Sequence, residues 1–289
     1  MLLQAFSLWS ISVTGMRICE KRTTIPEKRR YSNSQIMTAF GCGEKFRRTY
    51  VEREPRNKSI LAMRRGSAVH KAAEHYAIEI SEKRKPKDGE ILEVAETTLK
   101  SSIDDSVVDI ADDPDLKKST VIVASLVGKF LEVVAPTITQ VEAVEPYLTA
   151  TIEIKGRTLE IEGYPDLIDV DEDSGELRVR DYKTGKTYSR QTYEGGLQMP
   201  MYTLLATANG MPTDLTRIDH LRHLKNGAKH EKLEMRRGAA SHIRLARLIE
   251  SVDRYMDSKA FVPNPTSWMC NEGCDYWKAC DFRKPDGEA

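Results

Sequence analysis

The chain has 289 residues, a hydrophobic fraction of 40% and 30% charged residues that cancel to a formal net charge of zero. That is enough chain for one large domain or two small ones, and the overall balance points to no polyanionic partner. No run of 18 apolar residues occurs, which argues against a membrane span. The charge is unevenly placed: eight Lys/Arg stand against three acids from Glu44 to Arg65, a second basic stretch runs from Arg217 to Arg237, and ten Asp/Glu face one lysine from Asp88 to Asp115. A charge run is usually a solvated helix face, but basic stretches beside a catalytic motif favour a phosphate backbone. Five cysteines, an odd number gathered mainly near the C-terminus, speak against a secreted disulfide framework and for metal binding, which implies a cytoplasmic protein.

Residues 1–30 read as a disordered N-terminal extension. Their apolar start lacks the cationic head of a signal peptide. Folding is expected to begin near Tyr31, where Ser32 or Ser34 can cap a helix carrying Ile36, Met37, Phe40 and Phe46. Further helices are expected over 66–83, 91–110 and 118–134, with Pro86 and Pro114 in the breaks. After Pro136 the period changes to two, giving strands over 147–154, 158–170 and 176–182 as an antiparallel meander with turns at Lys155-Gly156-Arg157 and around Gly175. A helix over 196–208 ends at Asn209-Gly210. Alternating segments at 215–224 and 230–235 follow, then a last helix over 239–256 and a cysteine-rich tail. One domain over 31–289 results, with a helical portion (31–135), a core (136–260) and a tail (261–289).

The strand ending Arg180-Asp181-Tyr182-Lys183 puts a carboxylate and an ammonium on one face, because alternate strand residues share a side. A hairpin through Gly175 would bring Asp166, in Gly163-Tyr164-Pro165-Asp166, beside Asp181. Two such carboxylates suit a hard cation such as Mg2+ or Mn2+. A cation held there can generate hydroxide and offset charge in phosphodiester hydrolysis, with Lys183 orienting the attacking water. Asp-x-Lys alone is the common pattern of a solvated strand edge. Asp169 competes with Asp166 but lacks the preceding Gly-x-Pro turn.

The ordered conjunction carries more. Gly163-Tyr164-Pro165-Asp166 followed by Asp181-Tyr182-Lys183 resembles the RecB-type branch of the PD-(D/E)XK nucleases. Gly66-Ser67-Ala68-Val69-His70 resembles that branch's helical Gly-x-x-x-His motif, and Gln198-Met199-Pro200-Met201-Tyr202 its Gln-x-x-x-Tyr motif. The resemblance runs from Tyr31 to Cys280. It implies an α/β restriction-endonuclease-like core, with a mixed central sheet flanked by helices. It also implies metal ligation by His70, Asp166 and Asp181, catalytic roles for Asp166, Asp181, Lys183, Gln198 and Tyr202, and an accessory acidic position at Glu145.

Cys270, Cys274 and Cys280 are three soft ligands close together, and Cys42 is the natural fourth for a four-coordinate site, either iron-sulfur or structural zinc. Cys19 has no matching partner and reads as a free thiol. One distant cysteine plus a C-terminal trio resembles the iron-sulfur RecB-like nucleases, including the CRISPR-associated RecB-like exonucleases, and implies a 4Fe-4S cluster. The spacing of three residues between Cys270 and Cys274, rather than two, departs from that tail. The expected activity is a Mg2+- or Mn2+-dependent DNA exonuclease acting on single-stranded or end-frayed DNA in recombination, repair, phage DNA metabolism or CRISPR adaptation. A helicase or CRISPR adaptation proteins are the implied partners. The alternatives are a non-catalytic DNA-end-binding adaptor for a helicase or integrase, and a nuclease acting on RNA.

Overall fold

A computed structural model describes residues 29–56, 61–104, 116–185, 187, 189–267 and 269–283, together with the backbone of two short strands nearer the N-terminus. The elements in chain order begin with β1 (Ile11–Val13), β2 (Met16–Cys19), β3 (Arg30–Tyr31), α1 (Asn33–Gly41), α2 (Gly43–Phe46), α3 (Leu61–Ser81), α4 (Asp88–Asp104) and α5 (Leu116–Val133). There follow β4 (Val141–Val144), β5 (Leu148–Ile154), β6 (Arg157–Gly163), β7 (Leu167–Val170), β8 (Leu177–Thr184), α6 (Arg190–Gly195), α7 (Gln198–Ala208), β9 (Leu215–Leu224), β10 (Gly227–Arg236) and α8 (Ala239–Ser258). The strands β1 and β2 lie within the N-terminal extension, β1 paired with β2 and β2 with β5. The thiol of Cys19 and the acidic stretch 105–115 lie outside the described residues.

Two five-stranded sheets form, in the orders β1-β2-β5-β6-β3 and β10-β9-β8-β7-β4. The second is mixed, since β8 and β9 are parallel while its other neighbours are antiparallel. The expected meander is therefore corrected. The segment 158–170 is two strands, β6 in one sheet and β7 in the other, parted at Tyr164-Pro165-Asp166. Proline has no N–H to give a ladder, so the strand stops there and the chain changes sheets.

Strand alternation sorts β8 between two cores. Val179 packs with β5, β6, α7 and α8, while Tyr182 packs with α3, α4 and α5. Helix α5 is long and apolar enough to cross a membrane by length and composition. In this fold its Val123, Leu126, Val127 and Phe130 are buried in the second core.

On the Tyr182 face of the sheet lies a buried ionic network. Arg178 and Arg180 hold Asp169 at 3.0 and 2.6 Å, and Arg180 also reaches Asp219 at 3.2 Å. Arg217 and His230 meet Asp219 at 2.9 and 2.7 Å. Asp169 is thus committed to arginines and leaves the competition with Asp166. The basic stretch from Arg217 to Arg237 has its arginines paired within the fold. Its arginines turn to Asp219, Glu231, Glu176 and Asp214, and Arg237 to the Tyr193 and Glu194 carbonyls.

Helix α1 has Ser32 as N-cap in a reciprocal capping box with Gln35. It ends at Cys42, whose extended backbone (φ −166°, ψ 117°) separates it from α2 and Phe46. The C-terminal tail crosses this break. Gly43 donates to the Val262 carbonyl at 2.9 Å, and a Cβ at Gly43 would lie 2.5 Å from that oxygen.

Gly43→Ala is therefore expected to destabilise the protein by about 1–3 kcal/mol through overpacking. Gly128→Ala, on the exposed side of α5 with open space around it, should stabilise by about 0.5–1 kcal/mol. Urea denaturation of both variants checks the contrast. A second expectation concerns Asp219. Burial pushes its carboxyl up, but the His230 hydrogen bond and the charges of Arg217 and Arg180 overcome this and hold it at about 2, below the ordinary 3.8. Its stabilising contribution is complete above the ordinary value and is lost as pH falls from there towards 2. Asp219→Asn should cost about 3–5 kcal/mol at pH 7, with the gap to the parent closing below pH ~4 in urea titrations.

Candidate active site

Three elements and one crossover bring the sequence-selected residues together. Helix α3 turns a face of small residues, Ala68, Ala72, Ala73 and Ala77, into the core, which lets it lie close to the sheet. At its start Gly66 faces the end of β8, where a Cβ would stand 2.9 Å from Thr184 Oγ1. One turn later, the His70 Nδ1 lies 3.3 Å from Asp166 Oδ1. The other carboxylate oxygen of Asp166 accepts the backbone N–H of Tyr182 at 2.6 Å. Asp166 is thereby fixed between α3 and β8.

Asp181 projects to the opposite face of β8 from Tyr182 and is 1% exposed. Its Oδ1 accepts a hydrogen bond from Gln198 Nε2 at 2.9 Å, and that amide also donates to the Tyr202 hydroxyl at 3.0 Å. The four-residue spacing of Gln198 and Tyr202 on α7 makes this joint contact possible. Gly163, where a Cβ would come within 2.8 Å of the Tyr202 ring, lets α7 seat on β6. Asp181 Oδ2 lies 2.6 Å from Lys183 Nζ, yet accepts no well-directed hydrogen bond.

Burial raises the Asp181 carboxyl, the Lys183 charge opposes this, and Asp166 adds to it; the net direction is up. Burial lowers the Lys183 ammonium, but Asp181 outweighs burial and holds it above its ordinary value, hence charged. Burial likewise lowers His70, and its contact with Asp166 reverses the sign.

Glu145 stands at the rim. Its backbone N–H donates to the Asp166 carbonyl at 3.2 Å, and its own φ is +41°, a left-handed conformation costly for a residue with a Cβ. Although the residue is more than a third exposed, partial burial and the charges of Glu74 and Asp166 raise its carboxyl. Glu74, one turn beyond His70 and paired with Lys71 at 2.6 Å, is a site neighbour that no sequence motif marks. Nor does any motif mark the core side of the site. The Tyr182 ring stands edge-on to both His70 and Phe130, and its buried hydroxyl has no hydrogen-bond partner among the described residues. His220, opposite Lys183 in the parallel register, is held by the Tyr193 hydroxyl at 3.0 Å and lowered by burial to about 4.

Cys42, Cys270, Cys274 and Cys280 lie apart from these residues and line one small cavity with Lys45, Arg48, Met269 and Tyr276. None of the four is in a disulfide. The tail is also fastened without them. Arg48 donates to the Ala279 carbonyl at 3.0 Å, and the Tyr276 hydroxyl lies 3.1 Å from that of Thr49. Among the described residues, no group of three or more His, Cys, Asp or Glu side chains stands arranged as a ready metal site. What the candidate site offers is the donor chemistry, two carboxylates and an imidazole, with Asp181 buried. Those features fit a hard divalent cation.

No curated protein matches the sequence at a significant level. Among solved structures it is similar to a proposed exonuclease from Eubacterium rectale, at 11% identity over 88% of this chain and 89% of that one, with a TM-score of 0.51. It also matches SSO0001 at 14% identity over 91% of each chain, with a TM-score of 0.42. The former likeness is one of fold. The family model of the PD-(D/E)XK nuclease superfamily matches residues 30–281, almost the whole described chain, and the protein belongs to that superfamily.

Proposed function

We propose that the protein is a metal-dependent DNA exonuclease that hydrolyses phosphodiester bonds at the site formed by His70, Asp166, Asp181 and Lys183. The observation that carries this reading is Asp181, a buried carboxylate with one oxygen steadied by Gln198 and the other beside the Lys183 ammonium. A surface ion pair needs neither the burial nor the amide. Mg2+ or Mn2+, held by Asp166 and Asp181 with His70 as a third donor, would supply a hydroxide nucleophile and neutralise charge on the reacting phosphate. Lys183, 2.6 Å from Asp181, is placed to donate a hydrogen bond to the attacking water or a phosphate oxygen. Gln198 fixes the rotamer of Asp181, and Tyr202 fixes Gln198.

The cysteine cavity supports a second, structural metal centre. Four thiols facing one space suit a 4Fe-4S cluster, with zinc as the other four-thiolate candidate. Glu44, Lys45 and Arg48 share the lining, with Arg48 paired to Glu44 and Lys45 to Asp275. Such a centre would tie the break between α1 and α2 to the tail. Single-stranded or end-frayed DNA is the proposed substrate, and a helicase or CRISPR adaptation proteins are the proposed partners.

Anaerobically purified protein incubated with 5′- and 3′-labelled single and double strands, with and without Mn2+, tests the activity and fixes its direction. Lys183→Ala should lower the cleavage rate by about 10²–10³. Asp181→Ala should reduce cleavage to background, and both variants should still bind DNA. Unchanged cutting by either one removes the active-site assignment. Iron and zinc analysis addresses the cysteines: Cys274→Ser should lose its metal together with solubility. A folded, metal-free and fully active Cys274→Ser protein would show that the centre is dispensable.

A further inference from the structure

The crossover that delivers Asp166 also produces an exposed aromatic pair. In the antiparallel ladder of β5 and β6, Leu148 stands opposite Gly163, so the next pair outward sets Tyr147 against Tyr164. Their rings stack with centroids 4.9 Å apart and an interplanar angle of 29°. Cross-strand aromatic pairs commonly cover a core. This one is open to solvent, with Tyr147 48% and Tyr164 57% exposed.

The inner ring is held firmly. The Tyr147 hydroxyl donates to Glu162 Oε2 at 2.7 Å and accepts from Arg30 Nη1 at 3.0 Å, and Arg30 is itself paired with Glu160 at 3.0 Å. A ring held by its hydroxyl therefore backs a second ring that is exposed. Each tyrosine is two residues from an acidic residue of the site, Tyr147 from Glu145 and Tyr164 from Asp166, which limits each separation to about 7 Å along the backbone. The hydroxyl edge of Tyr147, lined by Glu160 and Glu162, is a poor place for a phosphate, which leaves the ring face as the feature able to meet nucleic acid.

We propose that the exposed ring of Tyr164, backed by Tyr147, is a stacking platform for the nucleobase adjoining the cleaved phosphate. The inference rests on the nuclease reading above and deepens it. A base inside a duplex has both faces covered by its neighbours, whereas a terminal or unpaired base has a free face to lay on a tyrosine. The platform would thus select single strands and frayed ends at the catalytic carboxylates themselves.

The full chain is titrated, with no divalent metal added, into single-stranded oligonucleotides that carry 2-aminopurine at each of the terminal positions in turn. The platform predicts fluorescence quenching at one position. It predicts that Tyr164→Ala loses this quenching and weakens binding on the order of tenfold, and that Tyr164→Phe and Tyr164→Trp retain both. An abasic nucleotide at the same position should weaken binding by the parent protein by a similar factor and bring no further loss in Tyr164→Ala. If Tyr164→Ala keeps parental affinity and quenching at every position, the platform is overturned. Cleavage of the same strands with Mn2+ separates the two readings. Quenching without cleavage supports the platform and removes the nuclease. Equal kcat/KM for parent and Tyr164→Ala on intact and abasic strands keeps the nuclease and removes the platform.

Discussion

The hydrogen bond from the Tyr182 backbone N–H to Asp166 ties the end of β8 to the point where the chain leaves one sheet for the other. Most of the site follows from that bond. Had the strand continued through Pro165, Asp166 would be a rung of a ladder, with its side chain fixed to one face of a single sheet. Because Pro165 cannot take part in the ladder, the carboxylate is freed to turn across the gap, one oxygen to β8 and the other to His70 on α3. The other crossover, at Glu145-Pro146, runs beside it in the opposite direction, joined by the Glu145 N–H to the Asp166 carbonyl. Two prolines thus bracket a junction at which a carboxylate, an imidazole and a strand end meet.

The sequence revealed those parts of this arrangement that depend on local period. Alternation puts Asp181 and Lys183 on one side of a strand, and four-residue spacing puts Gln198 and Tyr202 on one side of a helix, whatever the surroundings. The turn glycines were equally readable. The sheet assignment was not, because β6 and β7 are both apolar alternating segments and only Pro165 between them hints that they part. Charge was the least readable. Arg178, Arg180 and Arg217 look like surface or phosphate-binding arginines in a linear string, and only the fold reveals Asp169 and Asp219 opposite them. A run of arginines on adjacent strands is as consistent with a buried network as with a basic patch, since strand pairing decides which acids they meet.

That network also bears on how the site is built. Its members and the candidate site residues alternate along the same strand: Arg178, Arg180 and Tyr182 face α3–α5, while Val179, Asp181 and Lys183 face α7. A slip of one residue in the register of β8 would exchange the two sets, placing buried arginines against the apolar helix α7 and Asp181 among the carboxylates of the network. Each misplaced charge would be unpaired and out of water, a penalty of several kcal/mol apiece. The ionic layer therefore specifies the register on which the position of Asp181 depends.

The same electrostatic reasoning separates the two ends of the molecule. Around Asp181 burial and the nearby Asp166 raise the carboxyl, and Lys183 and His70 oppose this only in part, so a divalent cation bound there would offset the cost of burying the charge. Around Cys42 the opposite holds: α1, α2 and the tail are already joined by the Gly43 contact with Val262, by Arg48 on Ala279 and by Tyr276 on Thr49. A metal centre there would reinforce an existing junction and close a loop from Cys42 to the C-terminal trio. Loop closure acts mainly by restricting the unfolded chain. Its effect would accordingly be felt in stability, whereas the effect of a cation at Asp166 and Asp181 would be felt in chemistry.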